Sequence, residues 1–125
     1  MVKKRILIIE DETTLRETMA EYLSGDNFEV ARASDGEEGI KQAKSKKPDL
    51  IILDIILPKK DGYEVLEEIK KDPQTKNIPV ILLTNLESAE NVQKAFEKGA
   101  TTYLVKSDYS LEDIAKKVKE TLKIS

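Results

Sequence analysis

Five short apolar runs along the chain predict five β-strands. Four of them are rich in Ile, Leu and Val, as is typical of strands that are buried on both faces of a sheet. These four runs are residues 6–9, 50–53, 80–83 and 103–105. The fifth run, residues 28–33, mixes apolar and charged positions, which favours an edge strand, whereas the all-apolar first and third runs favour the centre of the sheet.

Between these runs, apolar residues recur at the spacing of an amphipathic helix. The five predicted helical faces are Leu15, Met19, Tyr22 and Leu23; Ile40 and Ala43; Val65, Leu66 and Ile69; Val92, Ala95 and Phe96; and Leu111, Ile114, Ala115, Val118 and Leu122. On this spacing we expect Met19 and Phe96 to be core residues. Residues 34–37 and 110–113, Ser-x-x-Glu and Ser-x-x-Asp, resemble capping boxes, and Gly25 and Gly99 lie where helices should end.

Strands that alternate with helices indicate a parallel sheet with helices on both faces, because parallel strands need right-handed crossover connections. The pattern therefore predicts an α/β fold, a doubly wound (βα)5 flavodoxin-like sandwich. The central and edge assignments favour the strand order 2-1-3-4-5.

Composition limits the available chemistry. The 125 residues include no Cys and no His, which excludes disulfides, thiolate chemistry and catalytic triads with His, as well as nearly every zinc site. A net charge of -3 argues against direct DNA binding, and no apolar run approaches the length needed for membrane insertion. We therefore expect a cytoplasmic protein whose chemistry uses carboxylates, lysines and hydroxyls.

The residues that end the predicted strands combine these groups. In an open parallel sheet, ligands bind beyond the carboxyl ends of the strands, and here those ends carry Glu10 and Asp11, Asp54, Thr84, and Lys106. Two carboxylates 4 Å apart repel by about 4 kcal/mol at an effective dielectric of 20, so such a cluster needs cations. Lys106 supplies one positive charge, and Mg²⁺ suits the all-oxygen ligands. A carboxylate beside Mg²⁺, a lysine and a hydroxyl is typical of phosphoryl transfer, in which the carboxylate itself can be the nucleophile.

The whole chain resembles a receiver domain of the bacterial two-component response regulators, of the stand-alone, chemotaxis-receiver type. The matching segments are Glu10-Asp11, Asp54-Ile-Ile-Leu-Pro58-x-x-Asp61-Gly62, Thr84 and Tyr103-Leu-Val-Lys106. The resemblance implies a single receiver domain over residues 1–125 with no output domain.

The resemblance also implies roles for the acidic residues. Asp54 would be the phosphoacceptor. Asp11, Asp54 and the backbone carbonyl of Ile56 would bind Mg²⁺ (or Mn²⁺) directly. Glu10 stands where the family more often has Asp and would hold the metal through water.

The remaining matches would respond to the phosphoryl group. Thr84 and Lys106 would bind its oxygens, and Tyr103 would be an aromatic switch that moves inward when Thr84 is drawn to the phosphate. Asp61 and Gly62 would form the turn that leads into the third helix.

Two positions depart from the family pattern. Ser107 follows Lys106 where the family usually has Pro, often after a cis peptide bond, so a cis bond is not expected here and the loop is expected to differ in shape. Asn85 follows Thr84 where the family usually has a small residue. We expect Asn85 and Ile56 to tune the lifetime of the phosphate.

The implied function is a phosphorylation-activated signalling switch. A sensor histidine kinase or a histidine phosphotransfer protein would supply the phosphoryl group, because the chain has no His of its own. Transfer would be self-catalysed, with slow autodephosphorylation and no other enzyme activity. The phosphorylated form would bind a downstream protein through the fourth helix, fifth strand and fifth helix, as a monomer or a weak phosphorylation-dependent dimer.

Three alternatives remain. A phosphorelay shuttle would use the same site, and an unphosphorylated receiver-like interaction module would leave it unused. A hydrolase of the haloacid-dehalogenase kind is disfavoured, since it needs a second Asp two residues after Asp54, where this chain has Ile56.

Overall fold

The computed structural model describes residues 3–124, which form a five-stranded parallel sheet flanked by helices. The elements are β1 (Arg5–Ile9), α1 (Thr13–Gly25), β2 (Glu29–Ala33), α2 (Gly36–Lys46), β3 (Leu50–Leu53), α3 (Gly62–Lys71), β4 (Val80–Thr84), α4 (Ala89–Glu97), β5 (Thr102–Val105) and α5 (Leu111–Leu122). The predicted strands and helices are confirmed, with strand bounds shifted by one residue at most. Within residues 3–124, no helix is long and apolar enough to cross a membrane.

The strand order is β2-β1-β3-β4-β5, as predicted, and all neighbouring pairs are parallel. Ile9 of β1 pairs with Leu53 of the central strand β3, and Leu53 in turn pairs with Leu82 of β4. This register brings the carboxyl ends of β1, β3 and β4 to one edge of the sheet, and β5 ends beside Thr84.

Each face of the sheet has its own core because successive strand residues point to opposite sides. Leu7 and Ile9 of β1 lie in a cluster with buried residues of α2, α3 and α4, whereas Ile6 and Ile8 lie in a cluster with buried residues of α1 and α5. All four side chains are fully buried, as expected for a central strand.

The helix ends follow the predictions in part. Ser110 caps α5 in a capping box with Asp113, as predicted, and Gly99 has a left-handed φ of 104° just beyond α4. The predicted cap at Ser34 is wrong: α2 begins one residue later, where Asp35 accepts a hydrogen bond from the Glu38 amide. Both residue types cap helices well, so the local pattern could not separate the two positions.

The prediction that Phe96 is a core residue is wrong, whereas Met19 is buried as expected. Phe96 is 47% exposed, although helical spacing does place it near Val92 and Ala95. The buried stripe of α4 is narrow, since Ala95 is fully buried and Val92 only half-buried. The neighbouring position on this face therefore lies at the rim of the stripe and opens to solvent.

Candidate functional site

The carboxyl edge of the sheet gathers the predicted strand-end residues. The Asp54 amide donates to the Ile9 carbonyl at 3.1 Å, which places Asp54 beside the end of β1, where Glu10 and Asp11 follow. Carboxylate oxygens of Glu10, Asp11 and Asp54 lie within 4.8 Å of one another. Glu10 and Asp54 are buried, whereas Asp11 is exposed to solvent.

Lys106 joins two of these acids in an ion triad in which both acids are buried. Its Nζ lies 2.7 Å from Asp54 Oδ2 and 2.7 Å from Glu10 Oε1. The side chains of Lys106, Glu10 and Asp54 are 15%, 2% and 6% exposed, so water screens these contacts weakly. The position of Lys106 at the end of β5, rather than its residue type, distinguishes it from the other lysines.

The surroundings shift the pKa values of Glu10 and Lys106. Burial raises the pKa of Glu10 above its ordinary value, and the charge of Asp54 raises it further, against the hydrogen bond from Lys106. For Lys106, burial lowers the pKa, but the hydrogen bonds to Asp54 and Glu10 outweigh burial and leave the pKa raised. Lys106 is therefore a cation at neutral pH, placed between Glu10 and Asp54.

The donor set fits a hard divalent cation. One lysine against three carboxylates leaves negative charge at the site, and oxygen ligands with an open, solvent-facing side suit Mg²⁺, which keeps several waters. Each Glu10 oxygen already has a partner, since Oε1 contacts Lys106 and Oε2 accepts the Glu12 amide at 3.2 Å. That arrangement is compatible with Glu10 holding a metal through water.

The segment that follows β3 leads from Asp54 to α3 in a tight loop. Asp54 Oδ1 accepts the Ile56 amide at 3.3 Å, and the Ile56 side chain is 58% exposed at the rim of the site. Asp61 caps α3 in a capping box with Glu64, which confirms the expected turn into this helix. The following Gly62 lies so close to Asp54 that an added Cβ would meet the Asp54 carbonyl oxygen at 2.3 Å.

Thr84 and Tyr103 both contact the loop after β4. Thr84 is fully buried, and its Oγ1 accepts the Leu86 amide at 3.5 Å. The Tyr103 hydroxyl donates to the Leu86 carbonyl at 2.7 Å, and burial raises the Tyr103 pKa. Sequence analysis missed Leu86, because its backbone groups leave no signal in the residue pattern. Asn85 is exposed between these contacts.

The segment after β5 contains the departure at Ser107. Lys106–Asp108 forms a short 3-10 helix, and residues 3–124 contain no cis peptide bond, as expected for this chain. Ser107 is exposed, so the substitution of the family's Pro leaves no gap in the core.

Comparisons with curated proteins agree with this geometry. The chain matches the family model of the response regulator receiver domain over residues 6–119. It is 35% identical over 99% of its length to the alkaline phosphatase synthesis transcriptional regulatory protein PhoP of Bacillus subtilis. It is 38% identical over 90% of its length to the transcriptional regulatory protein PdtaR of Mycobacterium tuberculosis. The chain spans 50% and 54% of these two proteins, about half of their length.

Solved structures resemble the chain over nearly all of its length. A CheY-like response regulator receiver domain protein of Methanospirillum hungatei superimposes with a TM-score of 0.91 at 30% identity, covering 98% of this chain and 95% of that one. The chemotaxis protein CheY4 of Vibrio cholerae gives a TM-score of 0.89 at 28% identity, with coverage of 95% and 98%. The chain therefore belongs to the response regulator receiver domain family, and its function is that of a phosphorylation-activated signalling switch.

Proposed function

We propose that Asp54 accepts a phosphoryl group from a phosphohistidine of a partner protein, either a sensor histidine kinase or a histidine phosphotransfer protein. The observation that carries this proposal is the position of Asp54: a buried carboxylate that ends a central strand, 2.7 Å from Lys106 and beside two further acids. Burying a carboxylate is costly, so this position favours a functional group over a structural one.

The proposed transfer is a direct displacement at phosphorus. A carboxylate oxygen of Asp54 forms a bond to phosphorus while the bond from phosphorus to the imidazole nitrogen breaks. The electron pair stays on that nitrogen, which needs no base in the receiver. Lys106 already contacts Asp54 and would bind an oxygen of the incoming group, as would the hydroxyl of Thr84, so this chain stabilises the charge on the phosphoryl oxygens.

The metal site belongs to the same proposal. Asp11, Asp54 and the Ile56 carbonyl would hold Mg²⁺ directly, and Glu10 would hold it through water. The bound cation would neutralise charge on the phosphoryl oxygens. The carboxylate oxygens that lie within 4.8 Å of one another support this assignment. Mn²⁺ would bind at the same site, since this ion prefers the same oxygen ligands as Mg²⁺.

The proposed signal passes from Thr84 to Tyr103 and the surface formed by α4, β5 and α5. Thr84 and Tyr103 hold opposite backbone groups of Leu86, so a movement of the Thr84 hydroxyl toward the phosphate disturbs a loop that Tyr103 also binds. The exposed ring of Phe96 on α4 offers an apolar contact for a downstream protein. Phosphate shifts the balance between two states only if its contacts differ between them.

The lifetime of the phosphate would depend on exposed residues at the rim. Ile56 and Asn85 are both exposed beside the phosphoacceptor loop and the Thr84 loop, where they can restrict the approach of water. The receiver would then catalyse its own slow dephosphorylation. A phosphorelay shuttle would use the same residues and would return the group to a second histidine protein, which a back-transfer assay detects.

Incubation with acetyl phosphate and Mg²⁺ tests the proposal. We expect intact-mass spectrometry to show one added phosphoryl group, stable in acid and labile in base, on the wild type but not on Asp54→Asn. The matched control is Asp61→Asn, which changes an exposed acid of the same loop and should still be labelled. An unlabelled wild type, or a labelled Asp54→Asn protein with an unchanged adduct, would contradict the assignment.

A further inference from the structure

The loop that carries Ile56 is fixed at its base by Gly62. The Gly62 amide donates to the Ile55 carbonyl at 2.7 Å, which closes the loop directly after Asp54. A Cβ at Gly62 would lie 2.5 Å from the Ile55 Cα, so only glycine permits this approach. The base of the loop is therefore held by the loop itself.

The tip of the same loop adopts a conformation that needs outside support. The Lys60 amide donates to the Pro58 carbonyl at 2.8 Å, across Lys59, whose φ is 68°. A positive φ is strained for a residue that carries a Cβ, and such a conformation persists where the surroundings enforce it. The tip therefore depends on what packs against it.

The N-terminus of α2 provides that support. Gly36 is the first residue of α2, so its amide has no partner within the helix, and it donates instead to the Pro58 carbonyl at 3.4 Å. The capping residue Asp35 also lies 3.8 Å from the Lys59 ammonium, through Oδ2. On the other side, Lys60 Nζ lies 3.1 Å from Glu68 Oε2 of α3.

This contact requires glycine at position 36. A Cβ at Gly36 would lie 2.2 Å from the Lys60 carbonyl oxygen and 2.8 Å from the Lys60 Cβ. Real Cβ contacts essentially never fall below 3.0 Å, so the distance must grow from 2.2 to at least 3.0 Å, a displacement of 0.8 Å. The obstacle is loop backbone rather than the end of a flexible side chain. Alanine at this position must therefore move the loop or the helix.

We propose that Gly36 is a positioning residue for the magnesium site: it lets the start of α2 hold the phosphoacceptor loop so that the Ile56 carbonyl keeps its place. The inference rests on the proposed function, in which Ile56 contributes a metal ligand. Ile56 lies between the closed base at Ile55 and the supported tip that starts at Pro58. If the tip of the loop moves while its base stays fixed, the short segment between them, which includes Ile56, must therefore change its conformation.

Gly36→Ala tests this inference through Mg²⁺ affinity, measured by isothermal titration calorimetry. Loss of a residue that orients a metal ligand typically weakens binding by about tenfold to 100-fold, and we expect about tenfold here. Val118→Ala is the control for lost stability, because Val118 is fully buried in the cluster on the opposite face of the sheet, away from the loop. Gly25→Ala is the control for glycine replacement alone, since an added Cβ would meet nothing within 4 Å beyond its chain neighbours and the backbone of its own helix.

The controls should bind Mg²⁺ as the wild type does, even though Val118→Ala should lower the urea midpoint. Unchanged affinity in Gly36→Ala would overturn the inference and leave the proposed function standing. Equal weakening in Gly36→Ala and Val118→Ala would also overturn it, since the effect would then follow from lost stability. A wild type that binds no Mg²⁺ would overturn both.

A measurement on the wild type decides the matter if Gly36→Ala does not fold. Mg²⁺ is titrated while the backbone amides are followed by ¹⁵N NMR. We expect the amide resonances of Gly36 and Lys60 to shift together with that of Ile56, at the same Mg²⁺ concentration at half-saturation. The resonances of Gly25 and Gly99 should not shift. A Gly36 resonance that does not respond would overturn the inference.

Discussion

Replacing Lys106 with Met removes the ammonium group that contacts both Glu10 and Asp54. Methionine keeps an apolar stem of similar length, so the change acts on charge more than on packing. Both acids then stay buried without a counterion. We expect Lys106→Met to fold with clearly reduced stability in metal-free buffer, and to regain part of the loss when Mg²⁺ is added.

The distances set the size of the effect. Each 2.7 Å contact is worth about 6 kcal/mol at an effective dielectric of 20, and the two acids, which lie within 4.8 Å of each other, repel by at least about 3.5 kcal/mol. Desolvation of the three groups offsets most of this attraction, so breaking such a buried group by removing one partner costs about 3–5 kcal/mol. With a urea slope of about 2 kcal/mol per molar, the unfolding midpoint should fall by about 2 M.

Urea unfolding followed by circular dichroism measures this loss, in EDTA and in Mg²⁺. Lys116→Met is the matched control: Lys116 is 66% exposed and lies 3.6 Å from Glu112, so its loss should cost under about 1 kcal/mol. The loss of stability caused by Lys106→Met should also be smaller by about 1–3 kcal/mol in an Asp54→Asn background, because one of the two acids left without a counterion is then absent. A loss no larger than that of Lys116→Met, or no dependence on residue 54, would refute the reasoning.

Three further predictions concern the core, a helix cap and the rim of the site. Phe28→Ala should destabilise the protein by about 3–5 kcal/mol, because Phe28 is 3% exposed, whereas Phe96→Ala should cost about 0.5 kcal/mol; equal urea midpoints would contradict the burial pattern. Hydrogen bonds from the backbone and hydroxyl of Ser110 hold the pKa of Asp113 below its ordinary value, so this carboxylate stabilises the fold above its unfolded pKa, and the stabilisation is lost as the pH falls through its folded pKa. Asp113→Asn should therefore be less stable than the wild type at pH 7, and the gap in urea midpoint should close below about pH 4; a constant gap would contradict the capping role. Asn85→Ala should speed dephosphorylation by about fivefold, the equivalent of one hydrogen bond of about 1 kcal/mol, with a smaller effect on phosphorylation by acetyl phosphate; equal effects on both rates would exclude a tuning role.

The fold was predictable because its strands carry strong and consistent patterns. The all-apolar runs of the first and third strands marked the centre of the sheet, and this assignment favoured the strand order that the structure has. The convergence of Glu10, Asp11 and Asp54 was predictable for the same reason, since residues that follow parallel strands meet at one edge. The exposure of Phe96 was not predictable, because helical spacing shows which residues share a face but not how much of that face the sheet covers.

The pattern of residue types did not predict contacts that depend on how far a side chain extends or on how closely two backbone segments approach each other. The bond from Tyr103 to Leu86 uses a backbone carbonyl, which every residue has. The contact between Gly36 and Lys60 is possible because glycine lacks a Cβ, which at this position would lie 2.2 Å from the Lys60 carbonyl oxygen. An Asp-Gly pair at a helix start signals a cap, but the loop that packs against it comes from 22 residues later in the chain, from Pro58 onward.

Glu10 shows how the length of a side chain decides the state of the site. Where the family more often has Asp, this chain has one more methylene, and Glu10 reaches Lys106 at 2.7 Å while its other oxygen accepts the Glu12 amide. Lys106 is thereby anchored independently of Asp54. On the proposed mechanism, the phosphoryl group replaces Asp54 as a partner of the Lys106 ammonium, which is already charged and held in place by Glu10. A cation oriented before the reaction stabilises developing charge without reorganisation, which is the largest contribution that a site of this kind makes to phosphoryl transfer.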